Sequence, residues 1–192
     1  MIDSKEKLHE YLLQDKRQLG ITKRRPRPFL DHIWKYEIEL RKYEYWLNKS
    51  GGLLTPFMRK FYQFKHYRSG IRLGISVPPN TCGKGLSIAH NGCVQINDNA
   101  VIGENLRIHE GVTVGASGGS AAPHIGNNVF LGSGSKVMGG VTVSDDCAVG
   151  AGAVVVKDVN VSGVTVAGVP AKVVSENNSY PYVFWFNNGI KI

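Results

Sequence analysis

Hydrophobic residues in the second half of the chain recur with a period of six. Such spacing fits neither a helix of 3.6 residues per turn nor an alternating strand, but it fits short strands joined by tight turns. We therefore predict a β-solenoid with three hexads per coil and one continuous apolar column. The main positions are Ile96, Ile102, Ile108, Val114, Ile125, Leu131, Val137, Val143, Val149 and Val155, and a second set two places earlier is Ala100, Leu106, Val112, Val129, Ser135, Val141, Cys147 and Ala153.

The six-residue step is interrupted once. Val114 and Ile125 are eleven positions apart, so the segment GASGGSAAPH carries five extra residues that must leave the solenoid as a loop. Loops on rigid scaffolds often carry function, and a tolerated insertion is the alternative. GASGG matches G-x-S-x-G, but a nucleophile elbow needs a strand-to-helix turn. No GK[ST] follows, so a phosphate-binding P-loop is not indicated.

Helical spacing replaces the six-residue period in the N-terminal part. The patterns predict helices within residues 4–19 and 31–52, the second capped by Asp31, and a third from Thr55 as cap with Pro56 in its first turn. A basic, proline-broken linker, KRRPRPF, separates the first two helices.

Basic and aromatic residues concentrate in the same N-terminal part. It holds 17 Lys and Arg against 8 Asp and Glu, whereas the remainder holds 6 against 7. The favoured interpretation is a set of helices whose aromatic side chains pack inward and whose lysines are solvated. Nucleic-acid binding is a more specific alternative, which we do not adopt. Attraction of this region to an anionic membrane surface or an anionic glycan is the third interpretation.

Composition limits the class of protein. With 192 residues and 42% hydrophobic content, the chain can bury a core. Its apolar runs are short and its first residues are charged, so we expect no membrane span, no signal peptide and a cytoplasmic location. Three cysteines without CxxC spacing predict reduced thiols. We predict a helical region at 1–74, a solenoid at 75–175 and a tail at 176–192, which either straps a subunit surface or packs on the last coil.

Three segments of the sequence are typical of a known family: LSIAHNG, VTVGASGG and AGVPAK. Over residues 75–175 the chain resembles the serine acetyltransferase group of the hexapeptide acyltransferases, including the related proteins of capsule and exopolysaccharide gene clusters. The resemblance implies a mainly β fold, a left-handed parallel β-helix, here with an N-terminal α-helical region. It also implies acetyl-CoA as acyl donor, no required metal, and a homotrimer or a dimer of trimers with active sites between subunits.

The resemblance assigns His90 as the general base. An alcohol needs a base that titrates near neutral pH to attack a thioester, and imidazole is the usual choice. A purely structural histidine is the alternative. His109 faces outward at the next coil and is expected to supplement His90, unless it is only an exposed turn residue. The resemblance places acetyl-CoA along Gly115, Ala116, Ser133, Ala151, Lys157 and Lys172.

Two departures from the family limit what the resemblance implies, the first for the orientation of His90 and the second for the acceptor. Ser76 and Pro78 stand where the family has an acidic residue that orients the histidine, and Ala121 and Ala122 replace an Arg-His pair, with His124 at a lysine position. An amino-acid carboxylate would lose its bidentate partner. We therefore expect a sugar hydroxyl of a polysaccharide or its precursor as acceptor, with serine as the alternative.

Two other function classes fit the same solenoid. A zinc enzyme would need three converging histidines, and His90, His109 and His124 lack the close pair of the γ-class carbonic anhydrases. A structural or binding solenoid would need no histidine beside the loop.

Overall fold

The computed structural model describes residues 1–119 and 121–185. Three helices come first: α1 (Lys5–Gln18), α2 (His32–Asn48) and α3 (Thr55–Leu73). A one-turn helix, α4 (Tyr180–Val183), follows the β-region. Among the described residues, no helix is both long enough and apolar enough to cross a membrane.

Fourteen short strands form the β-region of the described chain. They assemble into three sheets, ordered β1-β3-β6-β9-β12 in the first, β4-β7-β10 in the second and β2-β5-β8-β11-β13-β14 in the third. Every pairing is parallel except β13 with β14. The strands are β1 (Ile75–Ser76), β2 (Ser87–Ile88), β3 (Val94–Ile96), β4 (Val101–Ile102), β5 (Arg107–Ile108), β6 (Thr113–Gly115), β7 (His124–Ile125), β8 (Phe130–Leu131), β9 (Lys136–Met138), β10 (Thr142–Val143), β11 (Ala148–Val149), β12 (Val154–Val155), β13 (Thr165–Ala167) and β14 (Lys172–Ser175).

The chain visits the first, second and third sheets in turn, so each circuit is one coil of a solenoid. Every residue of the two hexad sets predicted from the sequence is buried, and all except Ser135 belong to one hydrophobic core. The register stacks equivalent positions, for example Ile88 on Ile108 and Ile108 on Leu131. The predicted fold class, a mainly β left-handed parallel β-helix with an N-terminal helical region, is confirmed.

One corner of the solenoid is held by a ladder of polar side chains. Asn105, Asn128 and Asp146 occupy equivalent turns of successive coils and share a left-handed backbone, with φ of 58°, 54° and 62°. Asn105 donates from Nδ2 to Asn128, which donates in turn to Asp146, at 2.8 Å each. Gln14 of α1 donates to Asn105 at 2.9 Å. Short polar side chains tolerate this backbone and satisfy one another, so the ladder aligns the coils.

A buried ion cluster attaches the helices to the first coil. The guanidinium of Arg41 in α2 lies 2.7 Å from Asp15 of α1 and 3.0 Å from Glu44, and all three side chains are buried. Arg41 also donates to the carbonyls of Cys82 and Gly83, at 2.9 and 2.6 Å. Although burial alone would lower it, the two carboxylates raise the pKa of Arg41 well above its usual value.

Asp15 and Glu37 bind the backbone of the same coil. Asp15 accepts hydrogen bonds from the N–H groups of Gly85 and Leu86 at 2.7 and 3.0 Å, and Glu37 accepts one from Ile88 at 3.0 Å. Burial, together with the nearby Asp15 carboxylate, raises the pKa of Glu37 well above its usual value, which favours its neutral form. The helices thereby satisfy polar backbone groups that the end of a solenoid would otherwise bury unpaired.

Two predicted helix caps differ in the structure. Asp31 precedes α2 but makes no capping bond, because its carboxylate binds the guanidinium and the backbone N–H of Arg27. Thr55 is the first residue of α3, with Leu54 in the cap position, and its hydroxyl donates to the Gly51 carbonyl. Pro56 lies in the first turn as predicted. A local hydrogen-bond partner displaced each capping role.

The aromatic residues of the helices divide between core and surface. Trp34, Tyr36 and Tyr45 of α2 are buried, as expected. Phe57 and Phe64 of α3 are exposed, so the expectation of inward packing is wrong for this helix.

The described part of the tail runs back across the third sheet. Ser179 donates from its hydroxyl to the Asn128 carbonyl, and Tyr182 stacks on Phe130 with ring centroids 4.4 Å apart. Trp185 lies under the guanidinium of Arg107, at 4.9 Å. The tail therefore crosses several coils of its own chain; residues 186–192 of the predicted tail lie outside the described part.

We predict that Arg41→Met lowers the free energy of unfolding by about 3–5 kcal/mol, because Asp15 and Glu44 would remain buried without their cation. Urea denaturation followed by circular dichroism measures the loss. The control is Arg27→Met, which removes an exposed ion pair with Asp31 and should change the free energy of unfolding much less. Equal losses in the two variants would contradict the role of the cluster.

Candidate functional site

His90 lies on a turn at the corner where the third sheet meets the first. It follows β2 and precedes β3, and its side chain is exposed. Gly92 has a φ of 117°, a conformation that favours glycine, and its N–H donates to the Leu73 carbonyl at 3.0 Å. Val94 donates to the Gly74 carbonyl at 3.0 Å. The end of α3 thus fixes the loop that presents His90.

His109 lies directly beside His90, one coil further on. The two ring centroids are 5.3 Å apart, and the other side of His109 meets Phe130 edge to face at 4.9 Å. Nδ1 of His109 is 3.3 Å from the Ser133 hydroxyl. His109 is therefore half-buried rather than a free turn residue, and the structure brings it together with His90.

Burial lowers the pKa of His109 below its usual value, and the nearby Arg107 and His90 lower it further. Arg107 is itself buried and donates to the Ser87 hydroxyl at 2.8 Å. Desolvation lowers the pKa of Arg107 to about 10, so it remains a cation at neutral pH. His109 is accordingly biased toward the neutral imidazole.

Glu110 completes the cluster, and the sequence analysis missed it. Nitrogen atoms of His90 and His109 and an oxygen of Glu110 all lie within 4.8 Å of one another. Hydrogen bonds from its own N–H and from Ser133, with smaller effects of the two histidines, lower the pKa of Glu110. Its Oε2 is buried and has no hydrogen-bond partner in the described chain. A carboxylate oxygen is therefore available to a neighbouring imidazole.

The pairing register of β2 and β5 places Glu110 beside His90. Ile88 stacks on Ile108, so the residues two places later, His90 and Glu110, occupy equivalent turns of adjacent coils. Spacing alone did not reveal this pair, because the six-residue step continued back from Ile96 falls on His90 itself, whereas Glu110 is two places after Ile108.

At the same corner, the next two coils toward the C-terminus carry small residues. Leu131 and Val149 follow Ile108 in the stacking register, so the positions two places later, Ser133 and Ala151, continue the column below Glu110. These two predicted cofactor residues therefore lie on the histidine corner. Ser133 is partly exposed and Ala151 is exposed, so this edge of the coils carries only small side chains at these two positions.

The other predicted cofactor residues lie elsewhere on the chain. Gly115 and Ala116 are at the opposite end of the first-sheet strand, at the corner where the inserted loop begins. Lys157 and Lys172 are exposed near the last coils, and neither forms an ion pair with a described residue. One chain alone therefore does not bring all six residues together.

The inserted loop leaves the solenoid between β6 and β7, as predicted. Ser117 lies between a strand and an irregular segment, not in a strand-to-helix elbow. Ala122 and Pro123 are buried, whereas Ala121 is exposed. His124 begins β7 in the second sheet, apart from the other two histidines, so the described chain forms no three-histidine zinc site.

Two cavities adjoin the loop that carries His90. One, of about 300 Å³, is lined by Ala89, Asn91 and the start of α2. The other, of about 560 Å³, is lined by Asn91 together with Lys35, Arg72 and Glu39. Either has room for a small acceptor, and the second offers cationic side chains.

Comparisons with known proteins agree with this architecture. Residues 122–157 match the family described as bacterial transferase hexapeptide (six repeats). The chain is 32% identical to the serine acetyltransferase of Mycobacterium tuberculosis over 157 residues, which are 80% of this chain and 64% of that protein. The chain spans 45% of the length of a Synechococcus elongatus serine acetyltransferase and 63% of one from Helicobacter pylori.

Solved structures extend the similarity to the helices. A Brucella abortus serine acetyltransferase in complex with coenzyme A superposes with a TM-score of 0.70 at 26% identity, covering 91% of this chain and 70% of that one. A Neisseria gonorrhoeae serine acetyltransferase in complex with serine gives a TM-score of 0.63 at 26% identity, covering 90% and 71%.

We predict that His109 titrates below the usual histidine pKa and that Arg107→Gln raises its pKa, since the variant removes a neighbouring positive charge. Imidazole NMR resonances followed against pH measure both values, and loss of a resonance in His109→Gln assigns it. Titration of His109 above the usual histidine pKa in the wild type would contradict the described environment.

Proposed function

We propose that this chain, a hexapeptide-repeat protein similar to serine acetyltransferases, transfers an acetyl group from acetyl-CoA to a hydroxyl. The observation that carries the proposal is one corner of the solenoid. There an exposed His90 stands beside His109 and Glu110, above a strip of small residues including Ser133 and Ala151. This arrangement pairs a base with room for an extended cofactor.

His90 acts as the general base. Its ring takes the proton of the acceptor hydroxyl while the oxygen attacks the thioester carbonyl carbon, and the tetrahedral intermediate then expels the CoA thiolate, which receives a proton from the imidazolium. The new ester bond and the free thiol balance the broken O–H and C–S bonds. Backbone N–H groups at the glycine-rich turns supply donors for the oxyanion.

Glu110 orients the histidine in place of the acidic residue that the family has at the position of Ser76. A carboxylate oxygen of Glu110 lies within 4.8 Å of a nitrogen of each imidazole, and its pKa is lowered, so it is ionised at neutral pH. A carboxylate beside an imidazole orients the ring and stabilises the imidazolium formed during transfer. His109, biased toward its neutral form, packs between His90 and Phe130 and limits the ring positions open to His90.

Acetyl-CoA occupies a site shared between copies of the chain. Ser133 and Ala151 line the histidine corner, while Gly115 and Ala116 lie at another corner of the same chain. A second copy that presents its inserted loop to the first copy's His90 would unite both sets. A homotrimer, or two trimers joined through the helices, satisfies this requirement with closed symmetry. Lys157 and Lys172 are proposed partners of the cofactor phosphates.

L-serine is the acceptor that the comparisons favour. The named relatives are serine acetyltransferases, and one solved neighbour contains serine, so the sugar acceptor expected from the sequence has no support there. In this chain, Arg72 in the cavity next to Asn91 supplies a cation for the serine carboxylate. A sugar hydroxyl remains the second candidate because Ala121 and Ala122 put no cation in the loop.

We predict that His90→Ala lowers kcat by roughly 10²–10⁴, because the base acts mainly in the transition state, while acetyl-CoA still binds. Glu110→Gln should lower kcat by a smaller factor without changing the KM for acetyl-CoA. Thiol release from acetyl-CoA measures kcat, and calorimetry measures binding. A fully active His90→Ala would refute the mechanism, and loss of CoA binding in either variant would show that the corner serves binding instead.

We predict that the same assay, run against L-serine and a panel of sugars, gives the higher kcat/KM for serine. Arg72→Gln should then raise the KM for serine with little effect on kcat, since the carboxylate contact is made equally in the ground and transition states. The control is Arg68→Gln, an exposed cation of the same helix that does not line the cavity. A panel in which a sugar exceeds serine would establish the second candidate.

A further inference from the structure

Helix α3 turns its large apolar side chains away from the protein. Phe57, Phe61 and Phe64, spaced by four and three residues, fall on one side of the helix and expose 67%, 44% and 61% of their surface. Leu53 and Leu54, just before the helix, are exposed as well. A contiguous patch of this kind is unusual on a soluble surface and indicates an interaction site.

The inner side of α3 is, by contrast, largely polar. Ser69 donates to the Glu39 carboxylate at 2.6 Å, and the ring Nε2 of His66 lies 2.9 Å from the Val77 carbonyl. The contacts that fix α3 to α2 and to the first coil therefore do not use the phenylalanines. Their exposed position is not required for packing within the chain.

Positive charge accompanies the exposed rings. No Asp or Glu occurs between Glu44 and Asp98, a segment that contains seven Lys and Arg. Lys60 and Arg68 stand on the same side of α3 as the phenylalanines, are exposed, and form no ion pair with a described residue. We define the outer face of α3 as Leu53, Leu54, Phe57, Lys60, Phe61, Phe64 and Arg68.

We propose that the outer face of α3 docks on the surface of an anionic lipid bilayer. Aromatic rings favour the boundary between headgroups and acyl chains, and lysine and arginine beside them bind lipid phosphates, so both features of the face find partners there. The helix lies along the surface, because none of the described helices could cross a membrane. A second copy of α3 is a poorer partner, since it would bring like charges together.

Vesicle sedimentation of the full chain tests the proposal. At 0.1 M salt the protein should sediment with vesicles of phosphatidylcholine containing 30 mol% phosphatidylglycerol and stay in solution with phosphatidylcholine alone. Lys60→Gln/Arg68→Gln should lower the partition coefficient roughly 30-fold, at about five-fold per charge. Arg24→Gln/Arg25→Gln removes the same charge from the exposed linker and should have a much smaller effect.

Aromatic variants distinguish docking from simple charge attraction. Phe57→Gln/Phe61→Gln/Phe64→Gln should retain the wild-type circular dichroism, because the rings are exposed, and should lose vesicle binding. In Phe61→Trp, the added tryptophan should be quenched by brominated acyl chains.

Three results would overturn the proposal. The first is no binding to the anionic vesicles. The second is evidence of nonspecific attraction to a polyanion. That evidence would be either an equal loss of vesicle binding in the two charge variants or full vesicle binding by the aromatic variant. The third is a decrease in the solution mass of the aromatic variant, which would show that a second copy covers this face.

Discussion

Exclusion of water from the central column is the constraint on which the whole molecule depends. In each hexad the main position and the residue two places earlier face inward. Because both positions are buried, charged residues are excluded from them. Chemistry can therefore occupy only the outward and corner positions of the coils. Because successive coils stack in register, corner residues that are about twenty positions apart become neighbours. His90 and Glu110 meet for this reason, and the small residues Ser133 and Ala151 continue the same line.

The helices solve a second problem that the column creates. A solenoid ends in an apolar cross-section and in backbone groups without partners, so its terminal coil needs a cap. Here Arg41 and Asp15 supply charged donors and acceptors to the backbone at Cys82, Gly83 and Gly85, while the α2 side chains Tyr36 and Leu40 join the apolar core. The ion cluster thus belongs to the junction between helices and solenoid. Its main effect on stability is the free-energy cost of leaving any one of its buried members unpaired. The same junction fixes the loop of His90 through Leu73 and Gly74.

Residue spacing was sufficient to predict the repeat and the loop, whereas His90 was singled out through the family resemblance. It did not predict Glu110 or Phe130, because their neighbours come from the adjacent coils rather than from the same segment. It also failed where local competitors decide the outcome: Asp31 binds Arg27 instead of capping α2. Inward packing of aromatics was assumed from hydrophobicity alone, whereas polar contacts place α3. The acceptor was inferred from Ala121 and Ala122, but the cavity beside Asn91 is lined from α2 and α3, which the loop sequence does not describe.

The asparagine ladder has a consequence for how this architecture changes over evolution. Asn105, Asn128 and Asp146 join each coil only to the next, and Leu131 and Val149 are separated by three hexads, or eighteen residues. Duplication or deletion of a segment of that length beyond Ala151 would leave the ladder and the register of the coils before it unchanged. The run of small residues at that corner could lengthen or shorten by whole coils while the spacing of His90, His109 and Glu110 stayed the same. Insertions of other lengths must leave the solenoid at a corner, as the five extra residues between Val114 and Ile125 do.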